Sequence, residues 1–114
     1  MRKFDSNKPL NSFDFRGEVA IVTGGAQGIG YAISRTLAEL GADVIIADRD
    51  ADAVTIASEN AGDRTQGFSC DVTDAQQVEE LINATWQRFE RIDMVVNNAG
   101  TAIRDSSVNL SLED

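Results

Sequence analysis

The chain has 114 residues, 42% of them hydrophobic, which suits one small domain with a buried core and argues against disorder. Its formal net charge is −9, with no basic run, so nucleic acid and anionic membrane surfaces are poor partners. No apolar run approaches the roughly 20 residues that span a bilayer. No secretory signal is visible. Cys70 is the single cysteine, so we expect a cytoplasmic protein without internal disulfides.

The chain contains no histidine. This absence excludes Ser-His and Cys-His nucleophile pairs and every histidine-based metal site. Asp48, Asp50, Asp52 and Glu59 have the spacing of a calcium loop, but alanine stands where such a loop needs glycine, and a strand precedes it. We therefore expect no metal site.

Short apolar strands alternate with amphipathic helices along the chain. After a polar lead-in over residues 1–16, the predicted elements are strand Val19–Thr23, helix 28–40, strand 44–47, helix Ala51–Ala61 capped by Asp50, strand Thr65–Ser69, a helix opened by a Thr73–Gln76 capping box, and strand 94–96. On the first helix, Ile29, Ile33 and Leu37, with Ala32, Thr36 and Leu40, are expected to form the apolar face.

This βαβαβαβ order predicts an α/β fold, a Rossmann-type doubly wound parallel sheet with strand order 3-2-1-4. Ligands of such sheets bind at the carboxyl ends of the strands, where the strand order reverses. The turn after the first strand and the segment 97–100 after the fourth both lie at that point. We expect residues 17–114 to be the N-terminal part of one such domain, incomplete without its remainder.

The turn between the first strand and helix has four glycines within residues 24–30. Its order, Thr23-Gly24-x-x-x-Gly28-x-Gly30, differs from the common G-x-G-x-x-G fingerprint. Glycine permits positive φ and close backbone approach, and the helix N-terminus adds partial positive charge. The turn suits a phosphate or pyrophosphate. A tight connection without a ligand is the alternative.

Asp48 ends the second strand, 18 residues after Gly30. A carboxylate at this point accepts hydrogen bonds from the hydroxyls of an adenosine ribose and repels a 2′-phosphate, which favours NAD over NADP. The neighbouring Arg49 weakens this preference, since a guanidinium binds phosphate, whereas Gln27 in the turn adds no positive charge. Asp48 as a turn or capping carboxylate is the alternative.

Together with Asp71-Val72 and Asn97-Asn98-Ala99-Gly100, these motifs resemble the short-chain dehydrogenase/reductase family, in particular its polyol dehydrogenases. The resemblance covers every element from Val19 to Gly100. It implies a pyrophosphate site, an adenosine-ribose site, contacts to the adenine ring and a border to the nicotinamide ribose. The residues so implied are Gly24, Gly28, Ile29 and Gly30 for the pyrophosphate, Asp48 for the adenosine ribose, Asp71 and Val72 for the adenine ring, and Asn98, Ala99 and Gly100 for the nicotinamide ribose. Their neighbours Gln27 and Arg49 are counted with the cofactor-binding residues.

The family's catalytic Asn-Ser-Tyr-Lys set does not match this sequence, so no catalytic residue is assigned. Tyr31, the single tyrosine, is followed four residues later by Arg35, but on the first helix and with arginine in place of lysine. Asn109 lies too early for the catalytic asparagine and is expected in a loop. Ser106 and Ser107 stay unassigned.

The sequence thus predicts the cofactor-binding half of an NAD-dependent oxidoreductase that transfers a hydride between a secondary alcohol, such as a polyol, and the nicotinamide. Its expected partners are the dinucleotide and an alcohol or ketone substrate, and the resemblance implies a homotetramer or homodimer. The alternatives are a non-catalytic half-domain that binds NAD or adenine nucleotides, and a truncation product without function.

Overall fold

The computed structural model describes residues 14–98, which form a four-stranded parallel sheet flanked by helices. The elements in chain order are β1 (Val19–Thr23), α1 (Gly28–Glu39), β2 (Asp43–Asp48), α2 (Ala51–Ala61), β3 (Thr65–Ser69), α3 (Ala75–Phe89) and β4 (Met94–Asn97). The sheet order is β3-β2-β1-β4, which confirms the predicted strand order. Ile21 pairs with Ile45 on one side and with Val95 on the other.

The two faces of the sheet bury separate apolar clusters, because side chains alternate along each strand. On one face, the strand residues Val22, Val44 and Ile46 form a cluster with Ala57 of α2, and residues of α1 pack against it. On the opposite face, Ile21, Ile45, Ala47 and Cys70 surround Leu81 of α3. The sheet is therefore covered by helices on both faces.

The N-terminus of α3 differs from its prediction. The cap is Asp74, whose Oδ1 accepts hydrogen bonds from Gln76 N at 3.0 Å and Gln77 N at 3.3 Å. The Thr73–Gln76 capping box is therefore wrong. The Thr73 hydroxyl instead donates a hydrogen bond to Asp71 Oδ1 at 2.7 Å and so closes the turn that follows β3. For α2, the predicted cap Asp50 is confirmed by its bond from Ala53 N at 3.1 Å.

The buried side of α1 also differs from its prediction. Gly30 and Ser34 are the buried residues of this helix, whereas Ala32 and Thr36 are exposed and Ile29 is 72% exposed. The predicted face is therefore confirmed for Ile33 and Leu37, which pack against the core cluster on this side of the sheet, and is wrong for Ile29, Ala32 and Thr36. The cause is the close approach of Gly30 to the backbone of Gly24, which turns the smallest side chains toward the sheet.

No helix within residues 14–98 is both long enough and apolar enough to cross a membrane.

Candidate functional site

Most of the predicted site residues meet at the carboxyl edge of the sheet. β1 runs into the glycine turn, β2 ends at Asp48, the turn after β3 contains Asp71, and β4 is followed by Asn98. Because the strands are parallel, all four segments follow strand ends at the same edge of the sheet. Ala99 and Gly100, together with Ser106, Ser107 and Asn109, lie outside the described residues.

The glycine turn needs glycine for two different reasons. Gly24 and Gly28 have φ of 63° and 57°, a left-handed conformation that costs other residues free energy. Gly30 is needed for space, because a Cβ there would overlap the Gly24 carbonyl oxygen and lie 2.7 Å from Asn98 Nδ2. The same atom on Gly28 would meet nothing within 4 Å, so the outer side of the turn is open.

The N-terminus of α1 is left available for an anion. Gln27 is its N-cap residue and makes no side-chain capping bond, and the first helical turn carries no acidic residue. Tyr31 N donates to Gln27 O at 3.2 Å, so the N–H groups of Gly28, Ile29 and Gly30 precede the first intrahelical bond. These donors lie at the positive end of the helix dipole.

Hydrogen bonds from Thr23 fix the end of β4 beside this turn. Thr23 Oγ1 donates to Asn97 Oδ1 at 3.0 Å and accepts from Asn98 N at 3.1 Å. Asn98 Nδ2 donates to Gly24 O at 3.4 Å. The predicted convergence of the glycine turn and Asn98 is therefore present in the structure, and the Gly24 carbonyl is drawn toward β4.

Asp48 is half-buried at the end of β2, and its neighbour Arg49 is exposed. Asp48 Oδ1 accepts from Asp50 N at 3.3 Å, while the Asp50 side chain caps α2. The capping half of the alternative is therefore wrong, because Asp50 caps α2, whereas the bond from Asp50 N is that of the turn carboxylate that the alternative also named. This single long bond leaves Asp48 with carboxylate lone pairs for a hydroxyl ligand.

The turn after β3 is held by a polar network. Asp71 N donates to Gln77 Oε1 at 2.9 Å, and Asp71 Oδ1 accepts from both the hydroxyl and the N–H of Thr73. The Thr73 hydroxyl and N–H bonds, with Arg49 nearby, lower the pKa of Asp71. Val72 is half-buried beside α3. This turn is fixed in place next to Asp48, whose carbonyl accepts from Cys70 N at 2.9 Å.

Sequence reasoning missed one residue of this region, Ser34. Its hydroxyl is fully buried and lies 2.9 Å from Gly30 O and 3.4 Å from Gly25 O. Its position one helical turn after Gly30 could have indicated that it lies on the same buried face as that glycine. The sequence-based prediction instead placed the buried face of α1 on the side of Ile29.

Within residues 14–98 no group of three acidic or cysteine side chains lies close enough to hold a metal ion. Cys70 is buried, and burial together with the acidic neighbours Asp71, Asp74 and Glu80 raises the pKa of its thiol. The thiolate is therefore disfavoured, as expected for an unreactive cysteine.

The parallel sheet, its order and its glycine turn define a Rossmann-like fold with an open helix N-terminus at the switch point. Comparison with known proteins then identifies the family. The short chain dehydrogenase family model matches residues 18–114, and the chain belongs to this family.

The most informative relatives support the same assignment. A D-threitol dehydrogenase of Mycolicibacterium smegmatis is 45% identical over 107 residues, covering 90% of this chain and 41% of that protein. An L-fucose dehydrogenase of Bos taurus is 45% identical over 86 residues, covering 75% of this chain and 32% of that protein. The chain therefore spans well under half the length of these curated relatives.

Two solved structures share the fold. A hydroxysteroid dehydrogenase from Escherichia coli superposes with a TM-score of 0.73 and 32% identity over 80% of this chain and 40% of that one. A 3-ketoacyl-(acyl-carrier-protein) reductase from Brucella melitensis, complexed with NADH, has a TM-score of 0.69 and 27% identity over 72% of this chain and 34% of that one.

Proposed function

We propose that the described residues are the cofactor-binding half of an NAD-dependent oxidoreductase. The observation that carries this proposal is the N-terminus of α1, which has no side-chain cap and lies at the same carboxyl edge of the sheet as Asp48, in a chain of the short-chain dehydrogenase family. The bound dinucleotide supplies the hydride-accepting nicotinamide. The part of the chain described by the structure binds and orients it.

The pyrophosphate site is the N-terminus of α1. The N–H groups of Gly28, Ile29 and Gly30 would donate to the phosphate oxygens, aided by the helix dipole. Gly28 leaves space for the close approach that these bonds require, since nothing lies within 4 Å of where its Cβ would be. No acidic side chain in the first turn of α1 repels the ligand.

Asp48 would hold the adenosine ribose by accepting hydrogen bonds from its hydroxyls. Its negative charge favours NAD, because a 2′-phosphate on the same ribose would be repelled. The adenine ring would lie toward Asp71 and Val72, on the turn that the Thr73 and Gln77 bonds hold in place. Asn98 and, outside the described residues, Ala99 and Gly100 would border the nicotinamide ribose.

The proposed substrate is a secondary alcohol of the polyol or sugar class. This follows from the relatives, one a D-threitol dehydrogenase and one an L-fucose dehydrogenase. We assign no catalytic residue among positions 14–98, because Tyr31 and Arg35 lie on α1 and Tyr31 is half-buried against the cluster on that face of the sheet.

Replacement of Asp48 tests the cofactor assignment. Asp48→Ala should weaken NADH binding by roughly tenfold or more, the expected effect of losing a charged hydrogen-bond acceptor. It should also reduce the preference for NADH over NADPH. Both dissociation constants are measured by the change in reduced-nicotinamide fluorescence on titration.

Asp52→Ala is the matched control, because Asp52 is an exposed carboxylate in the first turn of α2. It should change neither constant. If Asp48→Ala leaves both affinities unchanged, Asp48 has only a structural role and the NAD assignment fails. If the protein binds NADH but oxidises no member of a polyol and sugar panel, the non-catalytic binding alternative is supported instead.

A further inference from the structure

Ser34 lies where the two ends of the glycine turn meet. It is the fully buried polar residue of α1, and its hydroxyl is within hydrogen-bonding distance of the carbonyls of Gly25 and Gly30. A serine that bonds the carbonyl four residues earlier is common in helices. The second acceptor, Gly25 O, belongs to the turn and not to the helix, and this contact is specific to the site.

The contact depends on the shape of the turn. A Cβ on Gly25 would lie 3.0 Å from Ser34 Oγ and 2.7 Å from Val22 O, so the absence of a side chain lets the hydroxyl approach. Gly25 N donates to Ala47 O at 3.3 Å. The N–H of Gly25 thus bonds to β2 and its carbonyl to α1, so the peptide units on both sides of Gly25 each have a partner.

Two carbonyls of the turn have partners within the protein. Gly24 O accepts from Asn98 Nδ2 and Gly25 O from Ser34 Oγ, whose other acceptor, Gly30 O, belongs to α1. A carbonyl oxygen that turned outward would repel a phosphate and compete with it for the N–H groups. An anion site of this kind therefore requires that the carbonyls be kept inward.

We propose that Ser34 is a positioning residue for dinucleotide binding. Its hydroxyl proton is shared between the carbonyls of Gly25 and Gly30 and keeps the turn in the conformation that receives the pyrophosphate. This inference rests on the proposed function. It predicts an effect on ligands that contain a pyrophosphate and none on adenosine alone, since the ribose is held by Asp48 and not by the turn.

Ser34→Ala tests the inference in the protein with its full natural chain. The variant removes one oxygen from a buried site and should fold. We expect roughly three- to tenfold weaker binding of NADH and ADP, the size of one hydrogen bond, with adenosine affinity unchanged. NADH is titrated by fluorescence, and ADP and adenosine by competition against it. Amide hydrogen exchange of residues 25–30 should become faster in the variant.

Thr36→Ala is the matched control. Thr36 Oγ1 makes the same bond four residues back along α1, to Ala32 O at 2.8 Å, on the exposed side of the helix. It contacts no turn carbonyl, and its loss should leave all three affinities unchanged.

Two results would overturn the inference. Unchanged binding of NADH and ADP by Ser34→Ala would show that the hydroxyl does not position the turn. Equal weakening of ADP and adenosine, with a lowered melting temperature, would show a general structural role. A wild-type protein that binds neither NADH nor ADP would overturn the proposed function and this inference with it, whereas normal wild-type binding with an unaffected variant overturns the inference alone.

Discussion

At the scale of single residues, glycines in one turn serve different physical purposes. Gly28 needs its positive φ, at 57°, but has open space around the position of a Cβ. Gly30 has no need for positive φ, yet a Cβ there would overlap the backbone of Gly24. The two positions should therefore respond differently to the same substitution.

We expect Gly30→Ala to lower the free energy of unfolding by about 3 kcal/mol, because the overlapping atom is backbone and cannot move aside. Gly28→Ala should cost about 1–2 kcal/mol, the penalty for a left-handed alanine. Urea denaturation of both variants measures the difference. Equal losses would contradict the assignment of Gly30 to a close backbone approach.

Asp93 links the starts of β1 and β4. Its Oδ2 accepts from Val19 N at 2.7 Å and from Arg91 Nε at 2.8 Å, and Arg91 also bonds Oδ1. The Arg91 hydrogen bonds, followed by the Val19 N–H, hold the pKa of Asp93 below its usual value of 3.8. Because the folded pKa is depressed, this stabilisation is present above about pH 3.8 and is lost as pH falls through the folded pKa.

Asp93→Asn should therefore lower the free energy of unfolding at pH 7 by about 1 kcal/mol. It should also make this free energy decrease less steeply as the pH is lowered. An amide still accepts from Val19 N but cannot pair with the Arg91 charge. Urea unfolding at a series of pH values from neutral to strongly acidic measures both effects, with Asp63→Asn in an exposed turn as the control. If the free energy of unfolding of Asp93→Asn depends on pH as strongly as that of the wild type, the acid dependence comes from other carboxylates.

Single residues also show the limit of reasoning from sequence. The cap at Asp50 was predicted because the residue, its spacing and the following helix are all local. Asp74 was missed in favour of Thr73, since both residues are good N-caps and only the network with Asp71 and Gln77 decides between them. The roles of Asp48 and Asp71 toward a ligand stay predictions.

At the scale of elements, the three helices within residues 14–98 differ at their N-termini. Asp50 and Asp74 cap α2 and α3 with their carboxylates, whereas Gln27 makes no side-chain capping bond to α1. The helix that begins at the candidate anion site is the one left uncapped. Stability of α1 and affinity for a phosphate should consequently oppose each other at this position.

Gln27→Asp and Gln27→Asn separate these two effects. Both residues are strong N-caps and should stabilise the protein by about 0.5–1 kcal/mol. Either cap would accept from N–H groups that the phosphate would use, so both variants should weaken NADH binding; Gln27→Asp should weaken it more, because its charge also repels the pyrophosphate. Urea denaturation and fluorescence titration give the two quantities. Equal NADH affinities for the two variants would argue against an anion at this helix terminus.

The helix face of α1 could be derived from periodicity only in part. Apolar spacing favoured Ile29, Ile33 and Leu37, and the last two pack against the core, but the fully buried positions are Gly30 and Ser34. Hydrophobic patterns assign the face by size and polarity, whereas here the closeness of two backbones selects the smallest side chains. Strand order was predictable because it follows from alternation and right-handed crossovers, which do not depend on such details.

At the scale of the whole molecule, the two edges of the described sheet are unlike. β3, at one edge, has the polar sequence Thr-Gln-Gly-Phe-Ser. β4, at the other, reads Met-Val-Val-Asn, and all four of its residues are only half-buried. Within residues 14–98, β4 pairs with β1 alone. An apolar strand with a free edge favours pairing with another chain, whereas a polar edge disfavours it.

A fragment limited to residues 14–98 should therefore self-associate through β4. We expect its elution volume in size-exclusion chromatography to depend on concentration, and it should bind a dye specific for exposed apolar surface. Val95→Lys in the fragment should reduce both signals, because a lysine on an edge strand opposes pairing. Ile56→Lys is the control, since Ile56 is an exposed apolar residue of α2, far along the chain from this edge. A fragment that stays monomeric, binds no dye and unfolds cooperatively would show that four strands and three helices suffice to bury this core.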